Sequence, residues 1–532
     1  MQENTPARPQ AVLIGTPDTL LALRSMLVTV EAAPEAIGCL VVGPSESQSI
    51  AGVPVLGSAD EIVKVCELTG FALAVVCLPR SMDAERAQIS ADLAEAGIGE
   101  RFVPPLEEVL TEPAGREHAP AFHPVRVGGA DTPPAATGYD PAALIGREPN
   151  PVDGDEIASA LGGRRVLITG AGGSIGSELA RQAARYQPES LILMERSENA
   201  LFEIDRQIAR LFPDLPRVAL LHDVADETGT ARQLERLRPH AVYHAAAHKH
   251  VPLMEDHPAH AVRNNLFGTR AIADATASCG AERFVLISSD KAVNPTSVMG
   301  ATKRLAERYV QGIAEDTSTR MSMVRFGNVL GSAGSVVPIW SAQLGEGGPV
   351  TVTDPRMTRY FMTIPEAASL VLQASVIPQA EGVAAVYELD MGDAVNVLAL
   401  AERFCRLNGY APRVIGLGEE DRAGRIGAGG NAVVDVVITG ARPGEKLHEE
   451  LAYEAEEVRE TGRPGVRAWA GETEAVDTSR MTDELAGACD ASDRDPDPAA
   501  VLGCIRRWVP EMRPDRAIRR SPVTRTAPIA AA

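Results

Sequence analysis

Short uninterrupted apolar runs alternate with amphipathic stretches along this chain, the pattern of strands buried on both faces of a parallel sheet and joined by helices. Ala11 to Gly15, Cys39 to Gly43 and Phe71 to Leu78 read as strands and Thr19 to Val28 as a helix. They predict a first small α/β unit from residue 11 to about 110. A second series starts with Val166-Leu167-Ile168 and a helical pattern from Ser177 to Tyr186. It continues with strands at Leu191 to Met194, Val218 to Leu221, Val242 to Ala247 and Met321 to Phe326. Between the two series, Glu112 to Gly162 is rich in Pro, Ala and Gly and reads as a linker. Beyond residue 470 lies a tail, with Ala499 to Val509 helical and Arg519 to Ala532 expected to fray. The expected division is therefore an accessory unit at 1–111, a linker at 112–162, a main domain at 163–470 and a helical tail at 471–532.

Composition narrows what such a molecule does. At 532 residues and 45% hydrophobic content there is material for two or three cores. A net charge of −21 opposes nucleic acid and anionic membrane as partners, since long-range repulsion acts against both. The seven cysteines are scattered without a C-x-x-C pair, which suggests free thiols in a reducing cytoplasm. The sequence has no long apolar stretch free of charge and no signal pattern at its start, so it reads as cytoplasmic, without a transmembrane segment.

The most specific local signal is Thr169-Gly170-Ala171-Gly172-Gly173-Ser174-Ile175-Gly176, set between a strand and a helix. Gly170, Gly173 and Gly176 allow a tight turn, close approach to a pyrophosphate and helix-on-strand packing, with the helix N-terminus facing the phosphates and Ser174 and Ile175 as expected cofactor contacts. The expected fold is an α/β Rossmann-type doubly wound parallel sheet with a C-terminal substrate-binding subdomain, preceded by a second small Rossmann-like domain. In that first domain Gly15-Thr16-Pro17-Asp18 lacks the later glycines, so packing or regulation is expected there. Glu195 stands at the end of the strand after the glycine loop, placed for ribose hydroxyls, while Arg196 beside it suits a 2′-phosphate; NAD and NADP both stay open. Ala245 and Ala246 let a cofactor lie close to the backbone. Asp223 with Val224 is either an adenine contact or a simple turn. Asn264-Asn265 is expected early in a helix beside the cofactor. His248-Lys249-His250 lacks a third ligand at sensible spacing, and no metal is expected.

Further motifs carry a resemblance. His244 to Glu255, Asp290-Lys291-Ala292-Val293-Asn294-Pro295, Val298 to Arg304, Arg325 to Ser332, Thr358 to Thr363 and Arg442-Pro443-Gly444-Glu445-Lys446, with the glycine loop, resemble the polysaccharide-biosynthesis nucleotide-sugar dehydratases. These are extended short-chain dehydrogenase/reductases acting as UDP-N-acetylglucosamine 4,6-dehydratases, and the resemblance runs from about Val12 to Val509. Large members usually carry transmembrane helices ahead of the first α/β unit; this sequence opens at that unit, and membrane attachment is not expected. In the superfamily a Tyr-x-x-x-Lys pair serves the cofactor, the lysine holding the nicotinamide ribose. Here the tyrosine position is Met299, which cannot take a proton, while Lys303 keeps the ribose role. The large dehydratases share this methionine.

What the resemblance implies is a 4,6-dehydration: oxidation at C4 by NAD, loss of the C5 proton, loss of the C6 hydroxyl as water, and return of hydride to C6. Lys291 matches the C5 base and needs a neutral amine, so its pKa is expected to be lowered. Asp290 matches the acid for the C6 hydroxyl and must hold a proton. Ser289 is placed to relay the C4 proton. Neighbours in an extended segment point to opposite faces, so a bend after Ser289 is required. A surface ion pair of Asp290 and Lys291 is the bland alternative. Lys249, Asn328, Arg359 and Arg442 are the expected substrate contacts, the arginines supplying positive charge. Glu445 either holds the uridine ribose or pairs with Lys446, and the charged, Gly-rich insertion Glu419 to Gly430 departs from the family pattern. Alternatives on the same scaffold are an epimerase, a C5-inverting or 5,6-eliminating dehydratase, or a non-catalytic sugar-nucleotide sensor. The expected partners are a UDP-sugar and further copies of the chain in a homo-oligomer.

Overall fold

The computed structural model describes residues 10–29, 34–43, 48–79, 82–103, 144, 149–379, 382–416, 433–451, 453, 458–470, 476–490 and 496–513. Residues 112–143 and 145–148 of the expected linker, the insertion Glu419 to Gly430 and the end Arg519 to Ala532 lie outside the described residues, while Gly154–Leu161, within that expected linker, is a helix with Ile157 and Leu161 buried. The chain divides into two compact units: residues 1–144 with 339–352 and 398–439, and residues 145–338 with 353–397 and 440–532. The sequence reading keeps the later segments of the first unit with residues 163–470.

In the first unit β1 (Gln10–Gly15), β2 (Glu35–Val41), β3 (Ser49–Ile50), β4 (Val53–Ser58), β5 (Leu73–Cys77) and β6 (Gly99–Phe102) form one sheet in the order β3-β4-β2-β1-β5-β6. All pairs are parallel except β3 with β4. A separate parallel three-stranded sheet joins Val350–Val352, Val433–Ile438 and Ala411–Ile415.

The second unit is built on a nine-stranded sheet. With β7 (Arg165–Thr169), β8 (Ser190–Glu195), β9 (Arg217–Leu221), β10 (Ala241–His244), β11 (Arg283–Ile287) and β12 (Arg320–Arg325), the order from one edge is β9-β8-β7-β10-β11-β12. Ala385–Leu389 follows in parallel, then Val466–Trp469 and Val458–Arg463 in antiparallel. Side chains alternate between two cores. Val166, Ile168, Leu191, Leu193, Tyr243, Val285 and Val324 enter one, while Leu167, Ile192, Met194, Val242, Phe284, Leu286 and Met323 enter the other. Burial on both faces is why these strands read as continuous apolar runs. Strand order reverses between β7 and β10, and at that switch point Thr169 lies level with Met194 on one side and His244 on the other. A crevice outside the carboxyl ends is the expected ligand site of such a sheet.

A third apolar cluster brings the helix Val298–Ile313 together with Thr478–Cys489 and Pro498–Trp508 through Leu305, Met481, Leu485, Val501 and Ile505. The tail therefore holds two helices, one more than the periodicity indicates.

Candidate active site

The glycine loop is shaped by close backbone approach. Gly170 has φ +62°, and a Cβ there would stand 2.8 Å from Ala246 Cα; one at Gly176 would collide with the Gly170 carbonyl oxygen. Helix Ser174–Arg185 starts at an N-cap Gly173 with no side-chain cap. The first N–H groups of a helix lack intrahelical partners, so those of Ser174 and Ile175 are available to an anion. Their side chains do other work: the Ser174 hydroxyl accepts from the Ala333 amide at 3.0 Å, and Ile175 packs against the sheet core.

Beside this loop is an open cleft lined by Gly170, Gly173, Met194, Glu195, Arg196, His222, Val224, Ala245 to His248 and Asn264. Glu195 is bound to the loop, its Oε2 accepting from Gly172 at 3.1 Å and its Oε1 from Arg196 and Ser197 at 2.9 and 3.0 Å. Arg196 donates to Asn264 Oδ1 at 3.3 Å across the cleft wall. Asn264 and Asn265 stand on a π-helical turn, Val262–Phe267, and Asn265 clamps the His248 backbone from both sides. Val224 lines the cleft, and the Asp223 Oδ1 accepts from the Ala225 amide at 3.0 Å in the turn beside it. His244 is buried between Thr169 and Thr269 hydroxyls, and burial, with the nearby Lys303 charge, lowers its pKa to about 3, keeping it neutral.

At the end of β11 the chain bends after Ser289. Ser289 is extended, and Asp290–Ala292 form one 3₁₀ turn, which puts both side chains on one side. Asp290 is fully buried. Its Oδ1 accepts from Ser289 Oγ at 2.8 Å and from Lys291 Nζ at 3.0 Å, while Oδ2 is buried without a hydrogen bond. Lys291 also donates to Asn328 Oδ1 at 3.1 Å and lies 3.5 Å from Glu449 Oε1. This is a buried ion pair, not a surface one. The expected lowering of the Lys291 pKa is overturned: burial acts to lower it, but the Asp290 and Glu449 charges outweigh burial and hold the ammonium above its ordinary value.

Lys303, 6% exposed, donates to the Ile287 carbonyl at 2.8 Å, two residues before Ser289. Met299 is 3% exposed and packs in the helical cluster with Met254 and Leu305. Lys249 reaches Ser332 Oγ at 3.4 Å on the loop after Asn328–Leu330.

The expected positive charge for a diphosphate is differently used. Arg359 is buried and donates to the carbonyls of Thr358, Leu447 and Lys446, so it fastens the segment 446–449 instead of standing free. Arg442 pairs with Glu445 at 2.7 Å, which removes Glu445 from Lys446; the latter donates to the Val293 carbonyl at 2.7 Å. Two acids escaped the sequence reading. Glu449 meets Lys291 as above. Glu307 accepts from Arg325 at 2.9 Å through both oxygens and from Ser288 at 2.7 Å, anchoring the residue before Ser289. Burial pushes the Glu307 carboxyl up, yet Arg325, with Arg304 and Ser288, holds it down to about 2. Each acid has a basic neighbour three residues before it, but the contacts with Lys291, Arg325 and Ser288 come from groups distant in sequence, which no local spacing announces. Among the described residues, no group of three or more His, Cys, Asp or Glu is disposed to hold a metal, and no helix is long and apolar enough to cross a membrane.

Fold and cleft together define a doubly wound α/β protein with a Rossmann-type ligand crevice at its switch point. Residues 166–469 match the polysaccharide biosynthesis protein family, and the chain belongs to that family. It is 39% identical over 403 residues to the probable polysaccharide biosynthesis protein EpsC of Bacillus subtilis, covering 76% of this chain and 61% of that one. Identity to the capsular polysaccharide biosynthesis protein CapD of Staphylococcus aureus is 46% over 310 residues, 58% and 48% of the two chains. A UDP-N-acetylglucosamine 4,6-dehydratase (inverting) of Campylobacter jejuni is 33% identical over 215 residues, 40% and 63%. The matched region thus spans about half to three fifths of the first two relatives. The solved structure of Pen from Bacillus thuringiensis aligns with a TM-score of 0.51 at 26% identity, over 62% of this chain and 98% of that one.

Proposed function

We propose that the protein is an NAD-dependent nucleotide-sugar 4,6-dehydratase acting on UDP-N-acetylglucosamine. The observation that carries this reading is the Ser289–Asp290–Lys291 turn, an acid and an amine in contact at the end of β11, in the same unit as a cleft formed for a dinucleotide. The likeness to the Campylobacter jejuni protein supports the substrate class. Glu195 at the cleft wall supports NAD, because a carboxylate accepts from ribose hydroxyls and repels a 2′-phosphate. Gly170 and Gly173, the helix start at Ser174 and the small residues Ala245 and Ala246 would hold the dinucleotide backbone; Lys303 would hold the nicotinamide ribose. A dinucleotide held there would supply a hydride acceptor for C4 and a hydride donor for C6.

The chain's own groups handle the protons. Ser289 passes the C4 hydroxyl proton to Asp290, to which it already donates at 2.8 Å, and no tyrosine is then needed at position 299. Asp290 becomes the acid that protonates the departing C6 hydroxyl. Its protonation also removes the nearest charge holding the Lys291 ammonium, which lets Lys291 act as base at C5. Asn328 keeps the Lys291 nitrogen in place at 3.1 Å. A simple C4 epimerase leaves C5 untouched and gives this buried pair no task.

The test is proton NMR of UDP-N-acetylglucosamine with the protein and NAD in deuterated water, beside an Asp290→Asn, Lys291→Ala double variant. A C6 methyl group with deuterium at C5, absent in the variant, is expected. An unchanged sugar with the unaltered protein rejects this substrate, and turnover that inverts C4 without a methyl group rejects the dehydratase reading.

A further inference from the structure

Lys291 poses a problem that the dehydratase reading leaves open. The amine must be neutral when C5 is deprotonated, yet the structure holds it as an ammonium between two carboxylates, Asp290 at 3.0 Å and Glu449 at 3.5 Å. Under that reading Asp290 receives the C4 proton and is no longer a base. The third polar contact, Asn328 Oδ1, is an amide and takes no proton. That leaves Glu449 as the titratable acceptor among the contacts of the Lys291 nitrogen.

We propose that Glu449 is a positioning residue for Lys291, a buried acid that receives the ammonium proton before C5 is attacked and gives it back afterwards. This rests on the dehydratase reading and extends it to a residue outside the Ser289 to Lys303 motifs. Glu449 is 7% exposed. Its Oε1 faces Lys291 and lies 3.7 Å from Arg359 Nε, and its Oε2 is buried without a hydrogen bond, 4.0 Å from Lys446 Nζ.

Arg359 and Lys446 are committed elsewhere. Arg359 is fastened to three backbone carbonyls, and Lys446 donates to Val293 and lies 3.7 Å from Glu450. They keep Glu449 within reach of Lys291 and neutralise it. The groups that set the charge on Lys291 are thus Asp290, Glu449 and Arg359, with Lys446 and Glu450 behind Glu449.

The step balances. A Lys291 N–H bond breaks and an O–H bond forms on Glu449, with no change in net charge. The freed lone pair takes the C5 proton while the C–H electrons pass into the enolate of the 4-ketone. After water has left from C6, Lys291 returns a proton to C5 and recovers the one held by Glu449. Asp290 ends ionised, as it began.

The experiment compares full-length protein with Glu449→Gln and Glu449→Asp, each given NAD and UDP-N-acetylglucosamine in deuterated water under single-turnover conditions. Reduced-nicotinamide absorbance reports C4 oxidation, and NMR reports deuterium at C5. Glu449→Gln is expected to reduce the cofactor at nearly the normal rate and to slow C5 deuteration by about 100-fold, the scale of a lost proton-transfer group. Glu449→Asp is expected to restore deuteration to within about tenfold of the unaltered protein. Normal C5 deuteration in Glu449→Gln overturns the proposal, and so does equal slowing of oxidation and deuteration, which marks a merely structural residue. Should Glu449→Gln fail to fold, Glu449→Asp decides alone: slowed deuteration with unchanged oxidation supports the proposal, and equal slowing of both rejects it. Unaltered protein that forms no methyl group and takes up no deuterium removes the dehydratase reading itself, a result distinct from any seen only in the variants.

Discussion

Lys303 is a lysine that the fold holds against its own stability. Its ammonium is 6% exposed with one carbonyl acceptor, and burial lowers its pKa from 10.5 to about 8, Glu307 opposing in part. The native state therefore releases this proton first as pH rises, and between about pH 8 and 10.5 the unfolded chain binds more protons. The cost is complete below pH 8 and is relieved above it. Lys303→Met in the cofactor-free protein is expected to gain about 2 kcal/mol at neutral pH, a buried charge removed less one hydrogen bond lost. The gain should shrink as pH rises past about 9. Urea melts at two pH values check this, and an unchanged midpoint near pH 7 sinks the argument. A side chain kept at such cost points to a ligand that needs it. Asp290, Lys291 and Lys303 were legible as types at a spacing, through the family resemblance. The charge on Lys291 was not, because Glu449 reaches it from 158 positions further along the chain.

At the scale of elements, the turn Asp290–Ala292 depends on what it rests against. Gly300 lies in the first turn of the helix Val298–Ile313, and a Cβ there would collide with the Lys291 carbonyl oxygen. Backbone gives way less readily than a side-chain tip, so the turn Asp290–Ala292 or the helix must shift. Gly300→Ala is expected to destabilise the protein by about 1–3 kcal/mol, as overpacking does. It should also impair C5 deuteration more than cofactor binding, since the glycine loop is a separate element. Denaturant melts with cofactor titration test this; a variant of normal stability means the turn is softer than argued. Five of the nine strands of the large sheet were readable as apolar runs, with limits that moved by at most three residues, whereas Arg283–Ile287, Ala385–Leu389, Val458–Arg463 and Val466–Trp469 were not read. Helix Ser174–Arg185 starts three residues before the periodicity shows it, because Ser-Ile-Gly offers no amphipathic signal. The π-helical turn carrying Asn264 has no sequence signature at all.

Over the whole molecule, contacts join what the sequence separates. Residues 339–352 and 398–439 group with 1–144, a division hidden from a reading that follows the chain in order, since apolar periodicity shows that an element is buried but not against which part of the chain. Net charge, by contrast, is fully legible and acts at long range. A chain of −21 meets two anionic ligands in the proposed reaction, a dinucleotide and a nucleoside diphosphate sugar. Three of the cations expected to serve these ligands do little to offset this: Arg442 is paired with Glu445, Arg359 is buried on carbonyls, and Lys291 lies between two acids. Encounter is then opposed by the field of the protein, and salt weakens that field as the screening length falls from roughly 30 Å at 0.01 M to 8 Å at 0.15 M. The value of kcat/KM for the nucleotide sugar is therefore expected to rise a few-fold over this range, while kcat at saturation stays level because bound groups are screened much less. Initial rates in increasing KCl at fixed pH decide it. A steady fall in kcat/KM shows instead that local cations at the cleft steer the substrate despite the acidity of the chain as a whole.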